Sequence, residues 1–213
     1  MARVASTSKE YEDVTTSVSS TNRRENSGSE NGYFMLTSSH MGVQLTSSIF
    51  KSIYDNERWN LAVRVKPNIH RLAFTASNPT YNIEFYGVCY AMDEVRNEFS
   101  LTQSISYAYG SEFLNANKRI YAGAHRLNFT GSTIKQQSDL QIGPIRVWLD
   151  DLDNETIKHH AKDPANYGAP FGAFNNPSLY TNEMTGAHIP RYDNLILHWH
   201  YDTVTGSSAT GHF

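Results

Sequence analysis

Two histidines near the end of the sequence have the spacing of a metal site. His198 and His200 are two residues apart, so both imidazoles would project from the same side of a β-strand. Two imidazoles in that arrangement can share a zinc ion, but a third ligand is required and the sequence does not specify one. We favour the alternative in which Trp199 and Tyr201 face the core of the protein and the two histidines face solvent.

Paired carboxylates, the groups that hydrolyse glycosidic bonds, are the second candidate chemistry. Such enzymes need two carboxyl groups that face one cleft, and alternate positions of one strand provide that arrangement. Glu84 is the only acid in its predicted strand, whereas Asp93 and Glu94 are adjacent and would point to opposite faces. The turn and the helix cap that follow explain a later group, Asp150, Asp151 and Asp153. The sequence therefore does not favour a glycosidase.

Other reactive side chains are interpreted as structural. His159 and His160 are adjacent on a predicted helix, about 100° apart, so they cannot converge on one ion, and we expect them to contact free carbonyl groups at the helix C-terminus. Cys89 lies between Val88 and Tyr90, which predicts a buried thiol. The sequence contains neither a Gly-x-Ser-x-Gly motif nor a phosphate-binding glycine loop. We therefore predict that the protein is not an enzyme.

Several tyrosines could form a binding surface for a sugar or for another protein. Sugar binding needs aromatic platforms beside amide and carboxylate groups, and two polar segments, 103–117 and 166–190, contain suitable rings. The candidate tyrosines are Tyr107, Tyr109, Tyr167 and Tyr180. The alternative is that these rings cover a face of the protein or contact a neighbouring subunit.

The composition of the 213 residues favours a β protein. Tyrosine (13) and phenylalanine (10) are frequent, and Ser, Thr and Asn are abundant, a mixture that suits pleated strands and polar turns. The 18 basic and 21 acidic residues give a net charge of −3 without a basic stripe, so a nucleic acid is not expected as a partner. No stretch approaches the roughly 20 apolar residues of a membrane span. The single cysteine excludes an internal disulfide.

Alternating apolar and polar residues predict most of the strands. A strand pair is expected at residues 33–36 and 42–45, and a strand that begins at Trp59 should end at Pro67. The apolar face of that strand would carry Trp59, Leu61, Val63 and Val65. Further strands are expected near residues 83–88, 99–101, 120–124, 142–149 and 195–201. Short strands at this spacing are typical of a sandwich or a barrel.

One short surface helix is predicted after residue 153. Asp153 can cap its N-terminus, and Glu155 lies in the first turn, where the helix dipole favours an acid. Leu152 and Ile157 have the spacing of a hydrophobic staple, and the Asp-Pro pair at 163–164 ends the helix.

The composition divides the chain into four segments. Residues 1–31 contain few large apolar side chains and are interpreted as a polar linker or tail. Residues 32–165 carry the alternating strands of a β-sandwich, and residues 166–194 form an irregular loop. Residues 195–213 are either the closing strand of this sandwich or the start of a further β domain.

An ordered set of local features resembles a known family. The set comprises a Trp-led strand at 59–63, a strand at 85–88, a small-residue strand at 120–124 and an Asn-Phe-Thr-Gly turn at 128–131. A strand that ends in Arg146-x-Trp148 and the helix after it complete the set. Together they are similar to a laminin G-like domain of the concanavalin A-like lectin and glucanase superfamily, as found in large tail proteins of tailed bacteriophages. The opening segment of that family is not recognisable before Gly32.

The resemblance carries expectations for fold, metal and partners. It implies a two-sheet antiparallel jelly-roll sandwich. Laminin G-like domains often bind calcium at the rim of the sandwich, and Asp93 and Asp139 would be the ligands here, with no other cofactor. A phage tail protein implies synthesis in the host cytoplasm, a location in the virion, and homo- or hetero-oligomeric contacts with other virion subunits and with host surface glycans.

The expected function is therefore that of a non-catalytic structural and interaction module of a virion tail or appendage. The alternative is a carbohydrate-binding module of an extracellular adhesin, which would need the tyrosines to bind sugar. A glycoside hydrolase is the third possibility and would need a carboxylate pair.

Overall fold

Most of the regular structure in this chain consists of β-strands. The computed structural model describes residues 2–6, 14–20, 31–51, 53, 57–68, 80–122, 124–126, 134–137, 142–162 and 194–199. The strands are β1 (Ala2–Ser6), β2 (Val14–Ser20), β3 (Gly32–Ser38), β4 (Val43–Thr46), β5 (Trp59–Pro67), β6 (Tyr81–Ala91), β7 (Glu94–Ile105), β8 (Lys118–Ala122), β9 (Ala124–Arg126), β10 (Ile134–Gln137), β11 (Ile145–Trp148) and β12 (Leu195–Trp199). The helices are α1 (Tyr107–Asn115) and α2 (Asn154–Lys162).

The strands pair in antiparallel fashion, which confirms the prediction of an all-β protein. The hairpin predicted at 33–45 is present as β3 and β4. The expectation of a single helix was wrong, because α1 occupies most of the segment that was interpreted as a polar loop. No helix in the described ranges is both long and apolar enough to span a membrane.

The sheet of β5, β6 and β7 positions most of the features described below. β5 runs against β6 from Trp59 opposite Cys89 to Pro67 opposite Tyr81, so the predicted end at Pro67 is confirmed. β6 and β7 are joined by two residues with positive φ, Met92 (50°) and Asp93 (67°), the backbone that a type I′ hairpin turn requires.

One face of this sheet packs against the hairpin of β3 and β4. Along those two strands every second residue is buried, because side chains alternate between core and solvent. The ring centroid of Phe34 lies 4.6 Å from that of Trp59 and 5.4 Å from that of Phe99, so aromatic rings join the two sheets. Gly87 makes room for this packing, since a Cβ there would overlap the ring of Phe99. The buried set, here called the aromatic core, is Phe34, Leu36, Met41, Val43, Leu45, Phe50, Ile53, Ile83, Phe85, Phe99 and Ile105.

Helix α2 packs against the opposite face of the same sheet. Asp153 caps it as predicted, because its Oδ1 accepts a 2.7 Å hydrogen bond from the backbone N–H of Thr156. Its apolar stripe is buried against β6, whereas Glu155 and Lys162 on its other face are exposed, as expected of a short helix at the surface. The buried set under the helix is Tyr86, Val88, Leu152, Ile157 and Ala161.

The remaining strands form pairs outside the central sheet. β3 and β4 belong to a five-stranded sheet of order β4-β3-β2-β1-β8, so β1 and β2 lie within the segment that was interpreted as a linker or tail. β12 pairs with β11, and β9 pairs with β10. Residues 166–193 lie outside the described ranges, and the division of the chain into domains stays a prediction.

Candidate functional site

Helix α1 carries two of the tyrosines that the sequence singled out. Ser106 caps the helix, its Oγ accepting a 3.4 Å hydrogen bond from the N–H of Tyr109, and the N–H of Ala116 closes the last turn on the carbonyl of Glu112 at 2.9 Å. Tyr107 and Tyr109 are 43% and 39% exposed. The structure therefore presents both rings to solvent on a capped helix and not on a loop.

The strand below the helix fixes its position. The ring of Tyr81, the first residue of β6, lies directly against Gly110, where a Cβ would overlap it. Tyr81 also contacts Tyr107, with ring centroids 6.0 Å apart. Phe113, three residues after Gly110 and so on the same face of α1, packs against the aromatic core. The helix is thus anchored through both a glycine and an aromatic residue, which limits how far its exposed rings can move.

A polar pair stands beside Tyr109, whereas Tyr107, two residues earlier, projects from another side of the helix. His40, in the turn between β3 and β4, meets the ring of Tyr109 edge-on with centroids 5.3 Å apart. Its Nε2 lies 3.3 Å from Oε2 of Glu112, whose side chain is 40% exposed. We call His40, Tyr81, Tyr107, Tyr109 and Glu112 the tyrosine site.

The tyrosine site is suited to binding. Each tyrosine offers an apolar face and a hydroxyl that both donates and accepts hydrogen bonds, while the carboxylate accepts and the imidazole does either. Sugars present the matching combination of C–H faces and hydroxyl groups. The site as defined contains a single carboxylate, Glu112, whereas hydrolysis of a glycosidic bond uses a pair about 5–10 Å apart.

The other predicted contact residues are not brought to this site by the described structure. Tyr167 and Tyr180 lie outside the described residues. Asp93 lies in the turn between β6 and β7 with its side chain 90% exposed, and its Oδ1 is 3.8 Å from Nζ of Lys162. Asp139 also lies outside the described residues. Within the described ranges no three His, Cys, Asp or Glu side chains form a group that could hold a metal, so calcium at Asp93 and Asp139 stays a prediction.

A cluster of charged side chains lies on the α2 side of the central sheet. Arg64 and Lys66 on β5 both pair with Glu84 on β6, at 2.9 and 2.8 Å. Asp151 joins them, its Oδ2 3.5 Å from Nζ of Lys66. The hydrogen bond that Lys66 donates to Glu84 raises the pKa of Lys66. Two cations therefore compensate the charge of Glu84. Asp151 belongs to this cluster and not to the helix cap that the sequence suggested.

Tyr86 extends this polar side toward the helix. Its ring is buried and its hydroxyl donates a 2.7 Å hydrogen bond to Glu98 on β7. Burial, together with that carboxylate, raises the pKa of Tyr86. Lys158 on α2 lies 3.4 Å from the same Glu98 oxygen. The hydroxyl and the ammonium group thus share one carboxylate and connect the sheet to the helix.

The single cysteine is buried, as predicted. Cys89 is 1% exposed, and burial raises the pKa of its thiol. Its Sγ lies 3.9 Å from Oε2 of Glu57, whose own side chain is only 3% exposed and pairs with Arg96 at 2.8 Å. The same Oε2 accepts a hydrogen bond of 3.2 Å from the indole of Trp59. A protonated thiol beside a carboxylate is a poor nucleophile, so this cluster is structural.

The two adjacent histidines of α2 differ from the prediction. His160 is 6% exposed, and its ring stacks on that of Trp148 with centroids 5.1 Å apart and planes at 19°. Burial, with Arg146 and His159 nearby, lowers the pKa of His160 to about 4. Residues 100° apart on a helix face different surroundings, and His160 is the one on the buried face. The expectation that it contacts free carbonyls was therefore wrong.

The last strand is also oriented differently from the prediction. His198 lies opposite Arg146 in the β11–β12 pair, and the Nε2 of His198 is buried. Trp199 is 38% exposed, so it does not face the core as expected. His200 lies outside the described residues, and the shared metal remains untested.

Sequence reasoning missed three contributors to these clusters: His40, Glu112 and Glu57. His40 and Glu112 are 72 residues apart, and Glu57 is 32 residues from Cys89, so no local pattern encodes these contacts. One local signal was present for α1, because Ser106 can cap a helix and an apolar pair, Phe113 and Leu114, follows within it.

Comparison with known proteins returned no match: no family model, no curated protein and no solved structure is similar to this chain. The resemblance to laminin G-like domains therefore stays a hypothesis from the sequence.

Proposed function

We propose that this protein is a non-catalytic recognition and assembly module that uses the tyrosine site to bind a surface glycan or a neighbouring subunit. The observation that carries the proposal is Tyr109, which is 39% exposed on an anchored helix and contacts His40 of the His40–Glu112 pair. Tyr107, which is 43% exposed, lies two residues earlier on the same helix and adds a second aromatic residue. Preorganised aromatic rings lose little conformational entropy on binding, which is why such rings are frequent in recognition surfaces.

The finer fold assignment belongs to the same proposal. We infer a concanavalin A-like jelly roll, supported by two antiparallel sheets that share the aromatic core. With the resemblance to laminin G-like tail domains, this favours a virion tail or appendage protein made in the host cytoplasm, which contacts other virion subunits in a homo- or hetero-oligomer. The net charge of −3 supports a partner other than a nucleic acid.

The second candidate is a carbohydrate-binding module of an extracellular adhesin. It is favoured by the same rings and by a series of exposed polar side chains at the same end of the central sheet. There Nδ2 of Asn82 donates to Asn68 at 3.2 Å, and Oγ of Ser104 donates to Asn82 at 2.8 Å. Amides and hydroxyls in such a series are the hydrogen-bonding groups that sugar recognition uses.

A glycan array with the full chain tests the sugar-binding part of the proposal. We expect binding to one class of glycan, followed by at least a tenfold loss of affinity in the double variant Tyr107→Ala/Tyr109→Ala. Leu114→Ala is the matched control, because Leu114 lies on the same helix, is 48% exposed and is not part of the tyrosine site. This variant should keep its affinity within about twofold.

The assembly part is tested by sedimentation of the same three proteins. If the tyrosine site contacts a second subunit, the double variant dissociates at concentrations where the wild type and Leu114→Ala remain associated. A chain that binds no glycan and sediments identically in all three forms contradicts both parts of the proposal.

A further inference from the structure

The outer edge of β5 presents a row of backbone groups with which no strand of the described ranges pairs. β5 is an end strand of the three-stranded sheet and has β6 on one side only. At the opposite end of that sheet, the side chain of Gln103 on β7 bonds to the backbone at Gly42 and Gln44, so the β3–β4 hairpin approaches that edge. An open strand edge is a template for pairing with another strand, and proteins usually cover or interrupt it.

The hydrogen bonds between β5 and β6 identify the residues that point outward. Along an antiparallel pair, residues that bond to the neighbouring strand alternate with residues whose backbone groups point away from it. Asn68, which directly follows β5, donates its N–H to the carbonyl of Thr80 at 2.8 Å, and β5 keeps one register against β6 along its whole length. Leu61, Val63 and Val65 are an odd number of positions from Asn68, so their N–H and C=O groups point to the open edge.

The residues of β5 agree with this orientation and leave apolar surface along the edge. Pro67 belongs to the outward-pointing set, where a proline is tolerated because it lacks the N–H that a bond to β6 would need. Leu61 and Val63 are 37% and 39% exposed, although they belong to the face of the sheet that carries the aromatic core. The edge therefore offers both backbone groups and apolar side chains that a second strand would cover.

The sequence of β5 is complementary to a second copy of itself. In an antiparallel pair with Val63 on a two-fold axis, Val63 lies opposite itself and Leu61 lies opposite Val65 of the second copy. All three residues point outward, so each of these pairs exchanges two backbone hydrogen bonds, about six in total. The apolar side chains then form one stripe that continues from one sheet into the next.

The charged residues select this register over its neighbours. In it, Arg64 lies opposite Ala62, and Lys66 lies opposite Asn60. With the axis one residue later Arg64 would meet itself, and with the axis one residue earlier Lys66 would meet Arg58. A shift of two residues in either direction would again set Arg64 opposite a cation. Like charges directly opposite each other destabilise a strand pair, so only the central register avoids this cost.

We propose that β5 is a dimer interface, which pairs antiparallel with β5 of a second copy of this chain around a two-fold axis at Val63. The two three-stranded sheets become one continuous sheet, and both open edges are covered. The two Arg64 side chains are diagonal neighbours across the axis, and each already pairs with its own Glu84 at 2.9 Å. One strand pair is smaller than a standard interface of about 1,200–2,000 Å², so the dimer is weak, with a micromolar dissociation constant. This interface is independent of the proposed function, because no residue of the tyrosine site lies on β5.

Sedimentation equilibrium of the full chain measures the dimer directly. Over about 1–500 µM, the mean mass should rise from the 24.1 kDa of one chain toward twice that value. Val63→Lys sets two ammonium groups opposite each other across the axis, and Val63→Glu sets two carboxylates there. Each variant should raise the dissociation constant at least about tenfold, because like charges directly opposite repel. Val95→Lys is the matched control, since Val95 is 41% exposed on β7, the other end strand of the sheet, and it should associate as the wild type does.

An equimolar mixture of Val63→Lys and Val63→Glu tests the position of the axis. A two-fold axis at position 63 sets the ammonium group of one chain opposite the carboxylate of the other, so the mixture should associate within about threefold of the wild type. Restored association also shows that both variants fold.

Hydrogen exchange of the wild type locates the interface without any substitution. The amides of Leu61, Val63 and Val65 should exchange quickly at concentrations where the chain is monomeric and become protected as the dimer forms. The amides of Ala62 and Arg64 bond to β6, so they are the internal reference and should be protected at both concentrations.

The proposal is overturned if the wild type stays monomeric over this range, or if it associates while the outward amides gain no protection. Protection of those amides at every concentration also overturns it, the result expected if another segment of the same chain covers the edge. A mixture of the two charge variants that stays monomeric, although both are folded by circular dichroism, contradicts the axis at Val63. Association that is lost in Tyr107→Ala/Tyr109→Ala but kept in Val63→Lys would assign the contact to the tyrosine site instead.

Discussion

The two faces of the β5–β6–β7 sheet are built from alternate residues of the same strands, yet they are stabilised in different ways. On one face, Phe85 and Phe99 pack against the hairpin of β3 and β4 in a cluster of apolar side chains. On the other, buried Tyr86 donates a hydrogen bond to Glu98, and His160 of α2 stacks on Trp148. Burial of apolar area is insensitive to pH, whereas paired or buried ionisable groups respond to it. Apolar burial therefore dominates one face, beside the buried Glu57–Arg96 pair, whereas several ionisable groups are packed within the other.

Truncation of a side chain in the aromatic core should produce the largest loss of stability. Phe85 is fully buried, so Phe85→Ala removes its transfer energy and leaves a cavity, at a cost of about 3–5 kcal/mol in the free energy of unfolding. Leu61→Ala is the matched control on the same face, because Leu61 is 37% exposed, and it should cost less than about 1 kcal/mol. Urea unfolding of both variants at pH 7.5 measures the difference. Equal losses would show that the two positions are covered to the same extent.

Acidification should remove the stability that the neutral His160 side chain contributes on the α2 side. The pKa of His160 is lowered to about 4 in the folded protein from an ordinary 6.5, so the unfolded chain binds the proton more tightly. The stability from neutral His160 is complete above pH 6.5 and is lost as the pH falls to about 4, in total about 3 kcal/mol. Urea unfolding between pH 7.5 and 4 measures this loss.

Other carboxylates and histidines titrate in the same range, so the comparison with a variant isolates His160. His160→Phe retains a ring against Trp148 and cannot be protonated. Its stability should fall by about 3 kcal/mol less than that of the wild type over this pH range. Parallel curves for the two proteins would refute the buried, neutral state of His160.

The smallest loss of stability is expected when one hydrogen bond on the α2 side, from Tyr86 to Glu98, is removed. Tyr86→Phe removes the hydroxyl that donates to Glu98 at 2.7 Å but leaves the ring in place. Because Glu98 is 36% exposed and also pairs with Lys158, water and the ammonium group can replace the lost donor. We expect a loss of about 1 kcal/mol in the free energy of unfolding. A loss as large as that of Phe85→Ala would mean that the two faces do not differ as described.

The sequence predicted the strands of the central sheet better than the contacts between elements. Alternation placed β5 from Trp59 to Pro67, and Asp153 marked the start of α2, because strand period and helix capping are local properties. The same local signals could not show which surface the apolar stripe of α2 covers, since this depends on Tyr86 and Val88, about 70 residues earlier in the chain.

The tyrosine site was predicted in part for the same reason. Tyr107 and Tyr109 were selected from their residue type and polar neighbours, and both are exposed. The segment was assigned to a loop because Ser, Tyr and Gly are weak helix formers, and the packing of Phe113 on the core outweighs that preference. Its polar partner, His40, comes from the distant turn between β3 and β4, and no local pattern encodes such a contact.

The contact between Gly110 and Tyr81 has a consequence for how this protein can change over evolutionary time. A side chain at position 110 would occupy the space of the Tyr81 ring, so the two positions are not free to mutate one at a time. A chain of common descent that carries alanine or a larger residue at 110 should carry a smaller one at 81, or a displaced α1. Correlated replacement at these two positions would therefore identify distant relatives that keep the same helix and the same exposed rings.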